Sequence, residues 1–111
     1  MNTHPLQLIT IITESVLEHT LIEDLDRLGA RGYTITNARG KGHQGLRDAA
    51  WSSDSNIRVE VLCDPHLADV IAEYLTKTYY VDYAMMLYLS DVKVLRPKKF
   101  IGKDDAAESE E

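Results

Sequence analysis

The pattern of apolar and polar positions along the chain predicts strands that alternate with helices. Residues 6–13 are a short apolar run rich in β-branched side chains, which is typical of a buried central strand. Residues 32–38 and 56–63 alternate with a period of two, which indicates two more strands. Residues 83–89 are apolar on both faces and predict a further strand, and residues 91–95 predict a separate short extended segment.

The segment from Ser15 to residue 28 has the helical period. Gly29 provides the helix stop. The predicted apolar stripe consists of Leu17, Leu21, Leu25 and Leu28 beside Ile22, and the side chains expected to point outward are Glu18, Glu23, Asp24 and Asp26.

A second helix is predicted over residues 66–79. Asp64 is its expected N-cap and Pro65 stands at the first helical position. Glu73 and Lys77 are spaced to form an ion pair on the outer face. The predicted inner face consists of Leu67, Val70, Ile71, Tyr74, Leu75 and Thr78.

The resulting order is βαββαβ plus a short C-terminal strand. This predicts an α+β fold of the ferredoxin-like split βαβ type. Each helix has one apolar stripe, so we expect both helices to cover the same sheet face. The opposite face would then expose an apolar patch, which usually marks an interface and predicts an oligomer. The expected members of that patch are Leu62, Ala84, Met86 and Tyr88, together with Thr10 or its neighbours.

Composition indicates one globular domain over residues 1–100. The chain has 111 residues, of which 44% are hydrophobic and 27% charged, and no apolar run approaches the length that spans a bilayer. We therefore expect no membrane insertion, and the absence of a secretory signal predicts a cytoplasmic protein. Cys63 is the single cysteine, so no internal disulfide or cysteine-based zinc site can form. The histidines are scattered, and we expect no metal site.

The net charge of −6 is unevenly distributed. Residues 101–111 form an acidic tail, whereas residues 31–58 and 91–100 are basic. Two compact basic segments suit a small anion better than a nucleic acid, which needs a broad basic surface. We therefore expect no nucleic-acid partner.

A long loop over about residues 39–55 carries the most informative segment. In residues 39–47, glycines alternate with basic side chains, so backbone N–H groups and cations could converge on an anion. A solvated hairpin tip is the alternative. Trp51 either folds back onto the body or meets a partner.

The remaining candidate residues each have a simple structural explanation beside a functional one. Arg96 and Lys98 could close over the same anion or form a solvated strand exit. Arg58 and Glu60 are most simply a cross-strand ion pair, and Cys63 a small core residue. No nucleophile–base set and no carboxylate pair converges in the sequence, so nothing indicates catalysis.

Three segments carry a family resemblance: GYTITNARGKGHQGLR, IRVEVL and DYAMMLYLSDVKVL. With the split βαβ plan, they resemble PII-like signalling proteins over residues 6–100. The resemblance is closest to the bicarbonate-linked branch, which comprises the carboxysome-associated PII protein and the SbtB-type regulators of the bicarbonate transporter SbtA. It implies a non-enzymatic homotrimer with an adenine-nucleotide pocket between neighbouring subunits and a long T-loop that signals to a bicarbonate transporter or a carboxysome-linked target.

The resemblance also implies site residues. One wall of the nucleotide pocket would be Thr34, Thr36, Ala38, Gly40, Lys41, Gly42, His43 and Gln44, the adenine side Glu60 and Leu62 of the adjoining subunit, and the phosphate ligands Arg96 and Lys98. Bicarbonate needs convergent donors, for which the loop offers Lys41, His43, Gly45 and Arg47.

Departures from the family pattern affect the ligand. Residues 79–83 (YYVDY) replace the glycine-rich B-loop that clasps ATP phosphates in classical members, so ADP or AMP is expected rather than ATP. The alternative from another class is a small ferredoxin-like enzyme of the acylphosphatase kind. That chemistry needs an arginine-bearing loop after the first strand, where this chain has Thr13, Glu14 and Ser15. A ferredoxin-like RNA-binding module is a third option, disfavoured by acidity and by the lack of an aromatic pair on the central strands.

Overall fold

Four strands form one antiparallel sheet in the computed structural model, which describes residues 2–40 and 55–95. The central strand β1 pairs with both β3 and β4, and β3 also pairs with β2, so the spatial order is β2-β3-β1-β4. This order confirms the predicted ferredoxin-like α+β fold. The strands are β1 (His4–Glu14), β2 (Thr34–Ala38), β3 (Asn56–Cys63) and β4 (Met85–Val94).

Two helices connect the strands, and predicted local signals mark the end of the first and the start of the second. Helix α1 (Glu18–Leu28) ends at Gly29, which has a φ of 107° and donates its N–H to the Leu25 carbonyl at 3.1 Å. Helix α2 (Pro65–Tyr79) is capped by Asp64, whose Oδ1 accepts the Leu67 N–H at 2.8 Å. The prediction that α1 starts at Ser15 is wrong, because residues 15–17 form a 3₁₀ turn.

The core lies between the helices and one face of the sheet. Lys77 and Glu73 form the predicted ion pair at 3.0 Å on the outer face of α2. Ile71 and Leu75 are buried on the inner face of α2 as predicted, but Thr78, the last predicted member, is exposed and Tyr79 is buried instead. The buried core residues with no more than 1% exposure are Ile9, Ile11, Leu21, Leu25, Ile57, Val59, Val61, Cys63, Ala68, Ile71 and Leu75.

Strand β4 corrects two predictions. It is one continuous strand rather than two extended segments, because β1 provides partners along its whole length, from His4 opposite Val94 to Thr13 opposite Met85. Ala84 is not exposed on the open sheet face. It is fully buried just before β4, where its carbonyl accepts the Thr13 hydroxyl at 2.9 Å.

The sheet face opposite the helices remains open. Met86 and Tyr88 are 44% and 46% exposed on it, as the sequence predicts, and Leu62 is half-buried. Thr10, the fifth predicted member, is already buried within the single chain. An exposed aromatic and a methionine on a central sheet face are typical of a surface that another chain covers.

Candidate functional site

The open sheet face brings polar and apolar side chains of three strands into one row. Glu60 of β3 lies opposite Thr34 of β2 on one side and Thr10 of β1 on the other. Thr10 in turn lies opposite Tyr88 of β4. Because residues directly opposite in an antiparallel ladder share a face, these four side chains cross the open face in line.

A cavity of about 310 Å³ lies at one end of this face, and we call it the Glu60 cavity. It contains three of the residues that the sequence predicts for the nucleotide, Thr34, Glu60 and Leu62. Their environment combines an apolar floor with a carboxylate that can accept from an amino or hydroxyl group. The complete lining is Leu8, Arg31, Gly32, Tyr33, Thr34, Glu60 and Leu62.

A second cavity of about 470 Å³ lies at the other end of β2, and we call it the Arg39 cavity. It sits where β1 and β2 end and β3 begins, so it is bounded by both ends of the connection over residues 39–55. The Ser15 N–H donates to the Ser55 carbonyl at 2.8 Å and ties β1 to the start of β3 at this point. The complete lining is Ser15, Asn37, Ala38, Arg39, Ser55 and Asn56.

The structure thus divides the predicted nucleotide wall between two places. Thr34 lines the Glu60 cavity together with Glu60 and Leu62, whereas Ala38 lines the Arg39 cavity. Thr36 lies between Thr34 and Ala38 on β2. Gly40 is exposed beside Arg39. The remaining predicted site residues lie outside the described residues: Lys41, Gly42, His43, Gln44, Gly45, Arg47, Arg96 and Lys98. Trp51 lies outside them as well.

Sequence reasoning missed several lining residues. Tyr33 lies within the GYT segment and Arg31 directly precedes it, so the neighbourhood of the motif contained a signal for them. Ser15 and Ser55 carry no comparable signal, because they meet only through the pairing of β1 with β3. The Arg39 cavity is therefore a product of tertiary structure.

The predicted ion pair of Arg58 with Glu60 does not form. Arg58 lies opposite Ile12 and Thr36, and the ladder partners of Glu60 are the two threonines, so neither charge faces an opposite charge across the sheet. Within residues 2–40 and 55–95, no ion pair involves Glu60. Its carboxylate therefore remains available to a ligand in the Glu60 cavity.

The turn between α2 and β4 is held at both ends. At the start, the Tyr79 hydroxyl donates to the carboxylate of Asp24 on α1, which also accepts from Arg27 at 2.8 Å and from the Tyr74 hydroxyl at 3.4 Å. The sequence predicts that Asp24 points outward, but it is only 6% exposed, because α2 packs over it. Burial first, and then the Asp24 carboxylate, raise the pKa of Tyr79 far above its usual range.

At the end of the same turn, the Ala84 N–H donates to Glu14 Oε2 at 2.8 Å. Glu14 stands directly after the buried part of β1, at the place where an acylphosphatase-like enzyme would need an arginine-bearing loop. Glu14 is engaged by this contact and brings no positive charge to the position where the acylphosphatase-like alternative needs an arginine.

Metal and redox chemistry find no support in the described part of the chain. Residues 2–40 and 55–95 contain no group of three histidine, cysteine or acidic side chains that could hold a metal ion. Cys63 is buried as predicted, and burial, followed by the charge of Asp64, raises the pKa of its thiol to about 11. A thiol with so high a pKa is a poor nucleophile near neutral pH. In the same ranges, neither helix combines the length and hydropathy that a bilayer crossing requires.

Comparison with known proteins identifies similar sequences and folds. The family model of the nitrogen regulatory protein P-II matches residues 6–99. The chain is 43% identical to a protein from Thermus thermophilus described as a PII-like signaling protein, with a TM-score of 0.76, covering 90% of this chain and 99% of that one.

CPII, a nitrogen regulatory PII-like protein from Thiomonas intermedia, is similar in two ligand-bound structures. The structure bound to ADP, AMP and acetate has a TM-score of 0.79 and 26% identity, covering 92% of this chain and 100% of that one. The structure bound to ADP and bicarbonate has a TM-score of 0.75 and 28% identity, covering 89% and 97%.

Proposed function

The chain belongs to the nitrogen regulatory protein P-II family, and on that premise we propose that it is a sensor of adenine nucleotide and bicarbonate. Proteins of this family are generally non-enzymatic signalling proteins, and they are trimers that bind nucleotides. In the proposed function, a homotrimer of this chain binds ADP or AMP between subunits. The β2–β3 connection then reports nucleotide and bicarbonate status to a bicarbonate transporter or a carboxysome-linked protein in the cytoplasm.

The separation of the two cavities along β2 is the observation that carries this proposal. Thr34 and Ala38 stand at opposite ends of the strand, roughly 13 Å apart at the usual rise per residue. The Glu60 cavity offers an apolar floor and hydrogen-bonding groups, which suits a base and ribose. The Arg39 cavity offers a cation and stands where the glycine-rich segment begins, which suits phosphate.

Each cavity supplies half of a nucleotide site, so a complete site needs the two halves to face each other. A trimer built on the open sheet face could bring the Glu60 cavity of one subunit toward the Arg39 cavity of the next. The exposed Met86 and Tyr88 would then be buried in the interface. This arrangement agrees with the assignment of Glu60 and Leu62 to the adjoining subunit.

The α2–β4 turn supports a preference for ADP or AMP over ATP. It contains no glycine and no lysine, and its first residue, Tyr79, is buried and bonded to Asp24. A turn fixed in this way offers neither the free amides of a glycine-rich loop nor a cation for a third phosphate. Arg96 and Lys98, which follow β4, are the proposed phosphate ligands.

Titration calorimetry tests the proposal directly. We expect ADP and AMP to bind, ATP to bind more weakly, and bicarbonate to bind in the presence of ADP. Light scattering of the same sample should give the mass of a trimer. A monomer that binds no adenine nucleotide would overturn the proposal. Hydrolysis of an acyl phosphate, with no binding of ADP, would favour the acylphosphatase-like alternative.

A further inference from the structure

We propose that Glu14 is a positioning residue for nucleotide selectivity, because it holds the turn between α2 and β4 in a form that cannot bind a third phosphate. The inference rests on the proposed function and deepens it by naming the side chain behind the expected preference for ADP or AMP over ATP. The contact that carries it is the hydrogen bond from the Ala84 N–H to Glu14 Oε2 at 2.8 Å, which joins residues 70 positions apart.

The N–H groups of this turn are largely used within the chain. Four of them donate hydrogen bonds: Tyr80 to the Thr76 carbonyl at 3.3 Å, Asp82 and Tyr83 to the Tyr79 carbonyl at 3.2 and 2.9 Å, and Ala84 to Glu14. The acceptors of the first three are main-chain carbonyls, which a side-chain substitution does not remove. Among the four, only the Glu14 contact can therefore be released without changing the residues of the turn.

The end of β1 holds Ala84 from both sides. Its N–H donates to Glu14, and its carbonyl accepts the Thr13 hydroxyl at 2.9 Å. Thr13 also lies opposite Met85 in the ladder, so the start of β4 stays anchored when Glu14 is replaced. Ala84 is fully buried, and a buried N–H without an acceptor is unfavourable. Loss of the Glu14 contact therefore favours a turn that moves outward, where water or a phosphate can accept the N–H.

The turn lies beside the cavity that the proposed function assigns to phosphate. Glu14 is followed directly by Ser15, which lines the Arg39 cavity. The side chain of Glu14 reaches the turn while its neighbour in the chain borders the cavity. A third phosphate needs N–H donors or cations beyond those that bind ADP, and the turn is a neighbouring segment that could supply N–H groups.

Glu14 combines two effects that a pair of variants can separate. Its carboxylate accepts a hydrogen bond, and its negative charge, which no ion pair within residues 2–40 and 55–95 neutralises, repels phosphate. A glutamine accepts the same bond through Oε1 but carries no charge, whereas an alanine removes both effects. The hydrogen bond sets the selectivity, because a charge would weaken ADP binding together with ATP binding, whereas a fixed turn disfavours only the ligand that needs the turn.

Titration calorimetry with ATP, ADP and AMP tests this assignment on the unaltered chain and its variants. In Glu14→Ala, we expect the affinity for ATP to rise about tenfold relative to that for ADP, because the released N–H can donate to the third phosphate. The affinity for AMP should not change. Glu14→Gln should keep the ATP-to-ADP affinity ratio of the unaltered chain. Glu73→Ala is the matched control, because it removes one acidic side chain on the outer face of α2.

Hydrogen exchange measures the turn itself, without any nucleotide. The amides of residues 80–84 should exchange faster in Glu14→Ala and at the unaltered rate in Glu14→Gln. Circular dichroism checks that both variants keep the fold. Unchanged exchange in Glu14→Ala would overturn the inference, since the contact would then not hold the turn.

The outcomes separate this inference from the proposed function. A raised ATP-to-ADP affinity ratio in Glu14→Ala alone, with faster exchange of the turn, supports the inference. An equal rise in Glu14→Gln or Glu73→Ala would assign the effect to charge and overturn it. An unchanged ratio in Glu14→Ala, while the unaltered chain binds ADP, would overturn the inference and leave the sensor function standing. If the unaltered chain binds no adenine nucleotide, the proposed function and the inference both fail.

Discussion

The Tyr79 hydroxyl donates a hydrogen bond to the carboxylate of Asp24, and this contact joins the last residue of α2 to the middle of α1. Both residues are buried, and the Arg27 guanidinium compensates the Asp24 charge from the other side at 2.8 Å. A buried carboxylate is tolerated only when such partners surround it. The contact therefore ties the end of α2 to α1.

Tyr79→Phe should destabilise the chain by about 1.5–3 kcal/mol, because it removes a hydrogen bond to a buried charged group. Tyr74→Phe is the matched control, since its hydroxyl stands 3.4 Å from Asp24 and contributes a weaker bond. Urea denaturation measures both free energies of unfolding. Equal losses of unfolding free energy in the two variants would show that the Tyr79 hydrogen bond stabilises the chain no more than the Tyr74 one.

Stability should fall at alkaline pH, in part because of Cys63. Its pKa is raised to about 11 in the folded chain, mainly by burial, whereas an unfolded thiol has a pKa of about 8.5. The unfolded state therefore releases its proton first, so the contribution is complete below about pH 8.5 and is lost as the pH rises toward about 11. We expect a shallower fall for Cys63→Ala in urea titrations over this range. Identical slopes would contradict this contribution of Cys63. Tyr79, whose pKa is also raised, should contribute to the slope that remains.

Met86→Asp should dissociate the proposed trimer into folded monomers. The side chain is 44% exposed in the single chain, so a carboxylate there is tolerated by the monomer but would be buried without a partner in a trimer interface. Val16→Asp is the control, because Val16 is 73% exposed in the 3₁₀ turn, away from the open sheet face. Light scattering gives the mass, and circular dichroism the fold. A trimer that persists in Met86→Asp would exclude the open face as the interface.

Arg96→Ala should weaken ADP binding about ten- to a hundredfold while the oligomer stays intact, because a charge-assisted hydrogen bond to phosphate is lost. Lys93→Ala removes a nearby positive charge on β4 and should leave ADP affinity almost unchanged. Calorimetry compares the two. Unchanged affinity in Arg96→Ala would mean that the basic segment after β4 is only a solvated strand exit.

Local sequence determined much of the framework. Period-two alternation gives β3 the bounds Asn56–Cys63, and Asp64 with Pro65 sets the start of α2. Gly29 ends α1 because it adopts a φ of 107°, which other residues rarely do. These features depend on the residue itself or on neighbours a few positions away. The family resemblance also rests on local segments, and the match over residues 6–99 confirms it at the level of the family.

Only tertiary structure decided the burial of Asp24, the continuity of β4 and the division of the site residues between two cavities. Each of these features depends on residues that are far apart in the chain. Asp24 lies at a helix position that reads as outward, and it becomes buried only because Tyr79, from α2, packs over it. β4 is continuous because β1 offers it a full ladder. Thr34 and Ala38, close together in one predicted wall, belong to different cavities because strand pairing brings Glu60 to one end of β2 and Ser15 to the other. Sequence periodicity indicates on which side of a strand or helix a side chain lies. Only the pairing of distant strands determines which residues become its neighbours.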